Sequence, residues 1–551
     1  MTTNVIVLNS EPGIQRDGTP YDTKNYIDGQ WVRFYRGRPR KIGGYRLIEQ
    51  GSSTIIRTIY NYDNPMTSNV VDTYLGREDS VGYERFNYNG ESISGFINRT
   101  PTTYTSNVNN LWTFDIFIGS EEIDEQTILT PFIIAHVAPN ANDINSSIEG
   151  PIYYGNAENN APLINVTDDG TDTGNNILAS GGIIFAPPFL IAYGNNGEIK
   201  WCEAGDIGKW LHSQNIANNK IIKMVLTRGS SLPQLLAWTS NSLISLSYDI
   251  SNFTEDHFFS AVTIDNKITI MSPNSIVGFA NQYFWIGLNQ FYFFNGIVQP
   301  LQNTMNAEFF FQRIDLRSRA KVWGEIVNPA TGGTEIWWHY PKIDPHHPEI
   351  VTQECTDVII YHVEIKKWSD TSLGRAAGAQ IGPFPLPMMA DSQLLASTGT
   401  YPLWMHEYGY DKQIGGIKYP IQSYFETHIY DFFEGNPENN RAMRTRRIEP
   451  NFSMTEIPQP HPNPPLPTHM TVTVKNRFFP SDTEENNKVQ IKGPYLFDNN
   501  TQKIDAVNSQ GRLVSFVFES NEVGGGYTMG KTLLNYDIGD VRPSGNGTSQ
   551  G

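Results

Sequence analysis

Four segments in the middle of the chain constrain its fold more than any other feature: 282–296 (QYFWIGLNQFYFFNG), 334–341 (TEIWWHYP), 357–370 (DVIIYHVEIKKWSD) and 401–411 (YPLWMHEYGYD). Each is dense in aromatic and β-branched residues, alternates or nearly alternates, and ends on Gly, Pro, Asn or Asp. Short antiparallel strands joined by tight turns read this way. Such units recur roughly every 40–50 residues, the period of β-propeller blades, whose sheets carry aromatics inward and turn residues at their corners. The similarity between units is too loose to count blades.

The expected fold class is all-β: a β-propeller with inserted loops plus a smaller C-terminal antiparallel, sandwich-like β domain. Residues 1–50 read as an extended N-terminal docking segment, punctuated by Gly13, Asp17-Gly18, Pro20 and Gly43-Gly44. The propeller is expected over 51–415, with an acidic, Asn-rich insertion around 100–199, and the C-terminal domain over 416–540. There 470–477 (MTVTVKNR) and 511–521 (GRLVSFVFESN) alternate like half-buried strands. The Pro-rich stretch 457–467 must be extended, and 541–551 reads as a flexible tail. Partial helical spacing of Met305, Phe309, Phe310, Ile314, Leu316 and Val322 predicts a helix within 303–322.

Charge is more informative in its distribution than in its sum of −17, which argues against broad affinity for nucleic acid. Between Arg99 and Lys200 there is no Lys or Arg, while Asp115, Glu121, Glu122, Asp124, Glu125, Asp168, Asp169 and Asp172 all lie there. One reading is an ordinary solvated surface. The other is an electronegative wall, a candidate channel-facing region (Glu121, Glu122, Asp124, Glu125, Asp168, Asp169, Asp172) past which a polyanion slides without sticking. The opposite bias occupies 33–46, where Arg33, Arg36, Arg38, Arg40, Lys41 and Arg46 occur with no acid. With Trp31, Phe34 and Tyr35 as apolar anchors this is a docking patch for an acidic protein surface, the next copy of the chain being one such surface. Phosphate gripping is the alternative.

Candidate chemistry is sparse. His406, Glu407 and Asp411 lack the helical H-E-x-x-H spacing of a metal site. The oxygen-rich 168–172 loop lacks the terminal Glu of a twelve-residue calcium loop. Glu335, Asp357, Glu407 and Glu426 offer carboxylate pairs of the kind glycosidases use. His346-His347 sits in a Pro-flanked loop. No P-loop, G-x-S-x-G or dinucleotide fingerprint stands in the right context. Cys202 and Cys355 are too few for a disulfide framework and read as buried thiols. No catalytic residue, cofactor or metal is expected. No membrane-spanning run and no standard export signal is read.

The order of several landmarks resembles tail hub (nozzle) proteins of short-tailed bacteriophages, including the relatives called packaged-DNA stabilisation proteins. They are W-V-R-F-Y-R-G-R-P-R-K-I-G-G-Y (31–45), F-F-N-G (293–296), E-I-W-W-H-Y-P (335–341) with the W-S of Trp368-Ser369, H-E-Y-G-Y-D (406–411), R-R-I-E-P-N-F (446–452) and G-R-L-V-S-F-V-F-E-S-N-E-V-G-G-G-Y-T-M-G-K (511–531). The 100–199 stretch has no counterpart in that pattern. The resemblance implies a non-enzymatic virion protein, made in the host cytoplasm. It implies a homohexameric ring below portal and tail adaptor proteins, lining the distal DNA-ejection channel and helping to retain packaged DNA. Double-stranded DNA would pass transiently, with a needle, fibres or spikes nearby. The alternative class is a glycan-binding or glycan-cleaving propeller, in which tryptophans stack on sugar rings.

Overall fold

A computed structural model describes residues 4–541, apart from 65–68, 124–125, 140–142, 170–173, 211, 228–233, 250–257, 330–331, 380–381, 432–440 and 460–462. It is a β-propeller joined to a second β domain. Blade one consists, from the axis outward, of Ile56–Asp63, Val70–Arg77, Val81–Asn87 and Ile97–Asn98. Blade two begins with the long hairpin Leu111–Ile123 and Gln126–Ala138, followed by Gly150–Asn156 and Ile164–Asn165. Blades three to six are the four-stranded sheets opening at Gly182–Ala186, Ile221–Leu226, Val277–Phe279 and Trp323–Val327. Blade seven takes Arg375–Gly378, Met388–Asp391 and Tyr401–His406 from one end of the propeller and Tyr45–Ser52 from the other. The ring is thus closed by a strand that precedes the whole propeller in sequence.

Each gap between neighbouring blades holds its own apolar core, and strand alternation builds them. Trp337 and Trp338 are adjacent, so their side chains leave opposite faces of the sheet. Trp338 packs toward blade five with Phe284 and Phe291, and Trp337 toward blade seven with Trp323, Val358 and Met389. Both are fully buried.

The second domain corrects the expected boundaries. Its sheets are Asn4–Leu8 with Thr532–Val541, Arg441–Glu449 and Ile504–Gly511; Asp28–Gln30 with Ser423–Glu426, Leu513–Ser520, Met470–Arg477 and Gln490–Phe497; and Val32–Tyr35 with Arg38–Lys41, Tyr527–Met529 and Phe452–Met454. One core joins them: Leu8, Val32 and Phe34 from the N-terminal segment pack with Met443, Val472, Phe516 and Phe518. Residues 4–41 are therefore structural strands of this domain, and not an extended docking segment. Their own sequence is short and broken by Gly and Pro; apart from the local pairs of Glu11–Ile14 with Asn25–Tyr26 and Val32–Tyr35 with Arg38–Lys41, their strand partners lie at the far end of the chain, within 423–541.

The predicted helix is shorter than its spacing implied. Only Ala307–Arg313 is α-helical, and a 3-10 turn follows at Leu316–Lys321. Ile314 is extended, because it bridges Lys342 of blade six. Among the described residues no helix is long and apolar enough to cross a membrane.

Candidate functional site

The basic segment folds as a hairpin whose turn, Arg36-Gly37, takes positive φ at both positions (51° and 75°), the geometry of a two-residue I′ turn. This places the expected docking residues unequally. Trp31, Arg33, Phe34 and Lys41 are buried (3%, 2%, 4% and 2% exposed). They are anchors, but anchors inside the chain. Trp31 sits in the core between blades six and seven, donating its indole N–H to the Ile42 carbonyl at 3.1 Å. Phe34 lies in the second domain's core. Burial pushes the Lys41 ammonium down to about 8, against the opposing pull of Asp411. Tyr35 is half-buried, with Arg36 and Arg40 each 5.2 Å from its ring centroid, and Arg40 also donates to the Thr528 hydroxyl. Arg36 and Arg38 are exposed at the tip.

Arg33 is the centre of a buried lock between the domains. Its guanidinium forks onto Glu407, with Nη1–Oε2 at 2.6 Å and Nη2–Oε1 at 2.7 Å. It also reaches Glu335 of blade six, with Nε and Nη2 each 3.0 Å from an oxygen. Trp337 Nε1 donates to Glu335 at 2.8 Å, and His362 Nδ1 lies 3.2 Å away. Burial alone would push the Glu335 carboxyl up; Arg33, then His362 and Trp337, outweigh it and hold it at about 2.

Glycines let the chain segments meet here. A Cβ on Gly43 would lie 2.7 Å from Glu407 Oε2, and one on Gly526 2.4 Å from the Tyr410 ring. The Gly524 N–H donates to Asp411 Oδ1 at 2.7 Å. Segments 31–45, 335–341, 406–411 and 511–531, distant in sequence, therefore converge on one interdomain junction.

The other candidate residues divide. Asp168 is buried and accepts the Trp210 N–H, so it supports a loop and does not face a channel. Asp169 is exposed and accepts the Thr167 hydroxyl. Glu121 and Glu122 lie on the blade-two ribbon opposite Ile128 and Thr127; Asp124, Glu125 and Asp172 lie outside the described residues, and with Asp172 so does most of the calcium reading. His406 accepts from Arg375 Nε at 2.9 Å, and no group of three or more metal-ligating residues occurs among the described residues. The four carboxylates considered for glycoside chemistry are each held by a cation: Glu335 and Glu407 by Arg33, Asp357 by Lys342, Glu426 by Lys475. All eleven tryptophans are buried, which removes them as exposed sugar platforms. Cys202 and Cys355 are free and buried.

A cavity of about 310 Å³ runs along the propeller axis, lined by residues of all seven blades, Arg57, Trp112, Ile183, Lys223, Trp323 and Ala377 among them. Ile144, from the loop after the blade-two hairpin, is buried with Ile222, Ile276 and Ala320 near the start of the inner strands of blades four, five and six. Sequence reading passed over Arg57 and Lys223; the available signal was a single cation inside an apolar run, Ile55-Ile56-Arg57 and Ile221-Ile222-Lys223-Met224.

Fold and junction together define a seven-bladed β-propeller tied to a β domain built from both ends of the chain. No family model and no curated protein matches the sequence. Among solved structures, the chain is similar to BBS1N in complex with ARL6DN (TM-score 0.37, 9% identity, covering 64% of this chain and 93% of that one). It is similar to the RRP9 WD40 repeats (0.36, 9%, 67% and 99%) and to an ancestral GH74 enzyme (0.37, 9%, 70% and 51%).

Proposed function

We propose that this chain is a structural virion protein: a tail hub or nozzle subunit. Copies form a ring, hexameric by the resemblance, that lines the distal DNA-ejection channel below portal and adaptor and helps retain packaged DNA. It acts without catalysis. The observation that carries this reading is where the resembling segments lie. Four of the six landmarks meet at the interdomain junction, so what resembles the nozzle proteins is the set of residues that joins propeller to second domain. A likeness concentrated there is a likeness of architecture.

Two further features support it. The propeller's own axial cavity is far too small for a duplex, so a DNA passage would lie between subunits. A closed ring repeats one heterologous interface, which requires two unlike patches on each copy. The exposed Arg36–Arg38 tip is one candidate. The blade-two ribbon is the other: its third strand pairs only Phe132–His136, leaving a two-stranded arm with Ile128 and Leu129 exposed (43% and 72%) and Glu121 and Glu122 near its end. An acidic chain also suits a bore that must pass phosphates without holding them by counterion release.

The test is an electron-microscopy reconstruction of the purified particle with this chain tagged at its C-terminus. Six tags ringing the tail axis are expected; tags on peripheral spikes, or on no particle at all, would overturn the reading.

A further inference from the structure

The axial cavity carries more positive charge than its surroundings neutralise. Arg57 lines it, 5% exposed, with its Nε unpartnered. Its ion-pair partner Glu354 is shared with Lys321, whose Nζ lies 3.7 Å from that carboxylate and makes no hydrogen bond. Two cations thus divide one carboxylate. Lys223 lines the same cavity from blade four. The acid within its electrostatic reach is Asp115 of blade two, and that carboxylate already accepts the N–H groups of Phe185 (2.7 Å) and Ile116 (2.8 Å). Glu325 stands behind Gly378 with both oxygens buried and unpartnered; burial raises its carboxyl well above the usual range against the pull of Arg375, and it lies outside the lining, which contains no carboxylate among the described residues. Among the neutral lining residues, Asn61 has an unpartnered Nδ2 and Asn274 adds a second side-chain amide, whereas the Thr58 hydroxyl already donates to the Trp112 carbonyl.

Desolvated cations are costly unless paired, and this chain has 57 acidic against 40 basic residues from which to supply partners. Leaving a cationic surplus in a cavity at the small end of ligand-site volumes (about 300–1,000 Å³) is the arrangement of an anion site. The geometry points to the axial cavity as a binding site for a small multivalent oxyanion of the phosphate class, with Arg57 and Lys223 as its charged ligands. This assignment is independent of the nozzle reading, and neither stands or falls with the other.

The test uses the full chain, with pyrophosphate and inorganic phosphate as probes and chloride at matched ionic strength as control. Pyrophosphate should raise the melting temperature saturably. Lys223→Met should weaken its binding at least tenfold by calorimetry, while Lys267→Met, at an exposed position outside the cavity, leaves it unchanged. Amine-labelling mass spectrometry on the unmodified protein gives a readout free of folding effects: pyrophosphate should slow labelling of Lys223 and not of Lys267. A short DNA duplex should do neither. Unaltered Lys223 labelling, equal binding by Lys223→Met, protection by the duplex alone, or protection that fails to saturate and is matched by chloride would each overturn the assignment.

Discussion

Arg33 shows how a residue's chemistry can be read correctly from sequence and its place wrongly. An arginine among aromatics in an acid-free stretch does meet carboxylates, as a docking patch should, but they are Glu335 and Glu407 of its own chain. Sequence gives residue type and near spacing; the separation of 302 and 374 positions leaves no local trace. The same limit hid Arg57, whose partner Glu354 is as remote. Legible, by contrast, was the aromatic strand around Trp337-Trp338, while the choice between core and sugar platform stayed open until both indoles proved fully buried. The lock makes a sharp prediction. Arg33→Met takes the arginine away from two buried carboxylates, leaving Glu335 only Trp337 and His362, and should cost about 3–5 kcal/mol, read as a lowered denaturation midpoint. Arg33→Lys should recover little of it, since an ammonium lacks the planar fork that meets two carboxylates at once. A midpoint within error of the unmodified protein would show that the lock contributes nothing.

At the scale of elements, the aromatic strands were legible because each is a complete local pattern with turn residues at its ends. Met470–Arg477 alternates buried and partly exposed over most of its length, as its sequence implies. What stayed hidden were strands whose partners are remote: Asn4–Leu8 against Thr532–Val541, and Tyr45–Ser52 against Tyr401–His406. The helix itself was legible within 303–322, but its remote cap was not: the Asp17 carboxylate accepts the N–H groups of Glu308 and Phe309 at its start. Residues 4–44 therefore behave as a brace running from the second domain's core to the propeller. A chain beginning at Tyr45 keeps every propeller strand yet loses Leu8, Val32 and Phe34 from the second core. It should lose protection against proteolysis across 423–541 first and, with Trp31 and Ile42 gone from their shared core, in blades six and seven next, while blades one to five stay protected. Equal resistance of both regions would refute the brace.

The whole molecule combines these parts into behaviours no single element has, beginning with its response to acid. Burial holds His136 at about 4, His339 at about 3 and His428 at about 4, all below the usual 6.5. Their contribution is complete above pH 6.5 and is lost as pH falls through the folded values. Burial raises Glu84 to about 7 and Asp115 to about 6; these act the other way, gaining on acidification until pH has passed below their ordinary values of 4.5 and 3.8. Below about pH 4.5 that relief ends and Glu335, held at about 2, begins to lose its own share. Melting temperature against pH should therefore bend gently between 7 and 4.5 and drop steeply below; a straight decline across the range would contradict the balance. Assembly is the other molecular property, and here the structure sharpens the experiment. Of the basic residues in the hairpin, Arg33 and Lys41 are interior and Arg40 is tied to Thr528, so reversing them tests folding as much as docking. Arg36 and Arg38 project from a turn whose conformation is set by Gly37 and positive φ, and reversing exposed charges there should alter stability by no more than about 0.5 kcal/mol. On the proposed ring, the double variant Arg36→Glu/Arg38→Glu should thus melt with the unmodified chain and yet fail to enter rings or particles, because its tip would repel the acidic ribbon proposed as its partner on the next copy. Normal assembly of that variant would remove the tip from the interface, whereas a lowered melting temperature would show that it serves the fold.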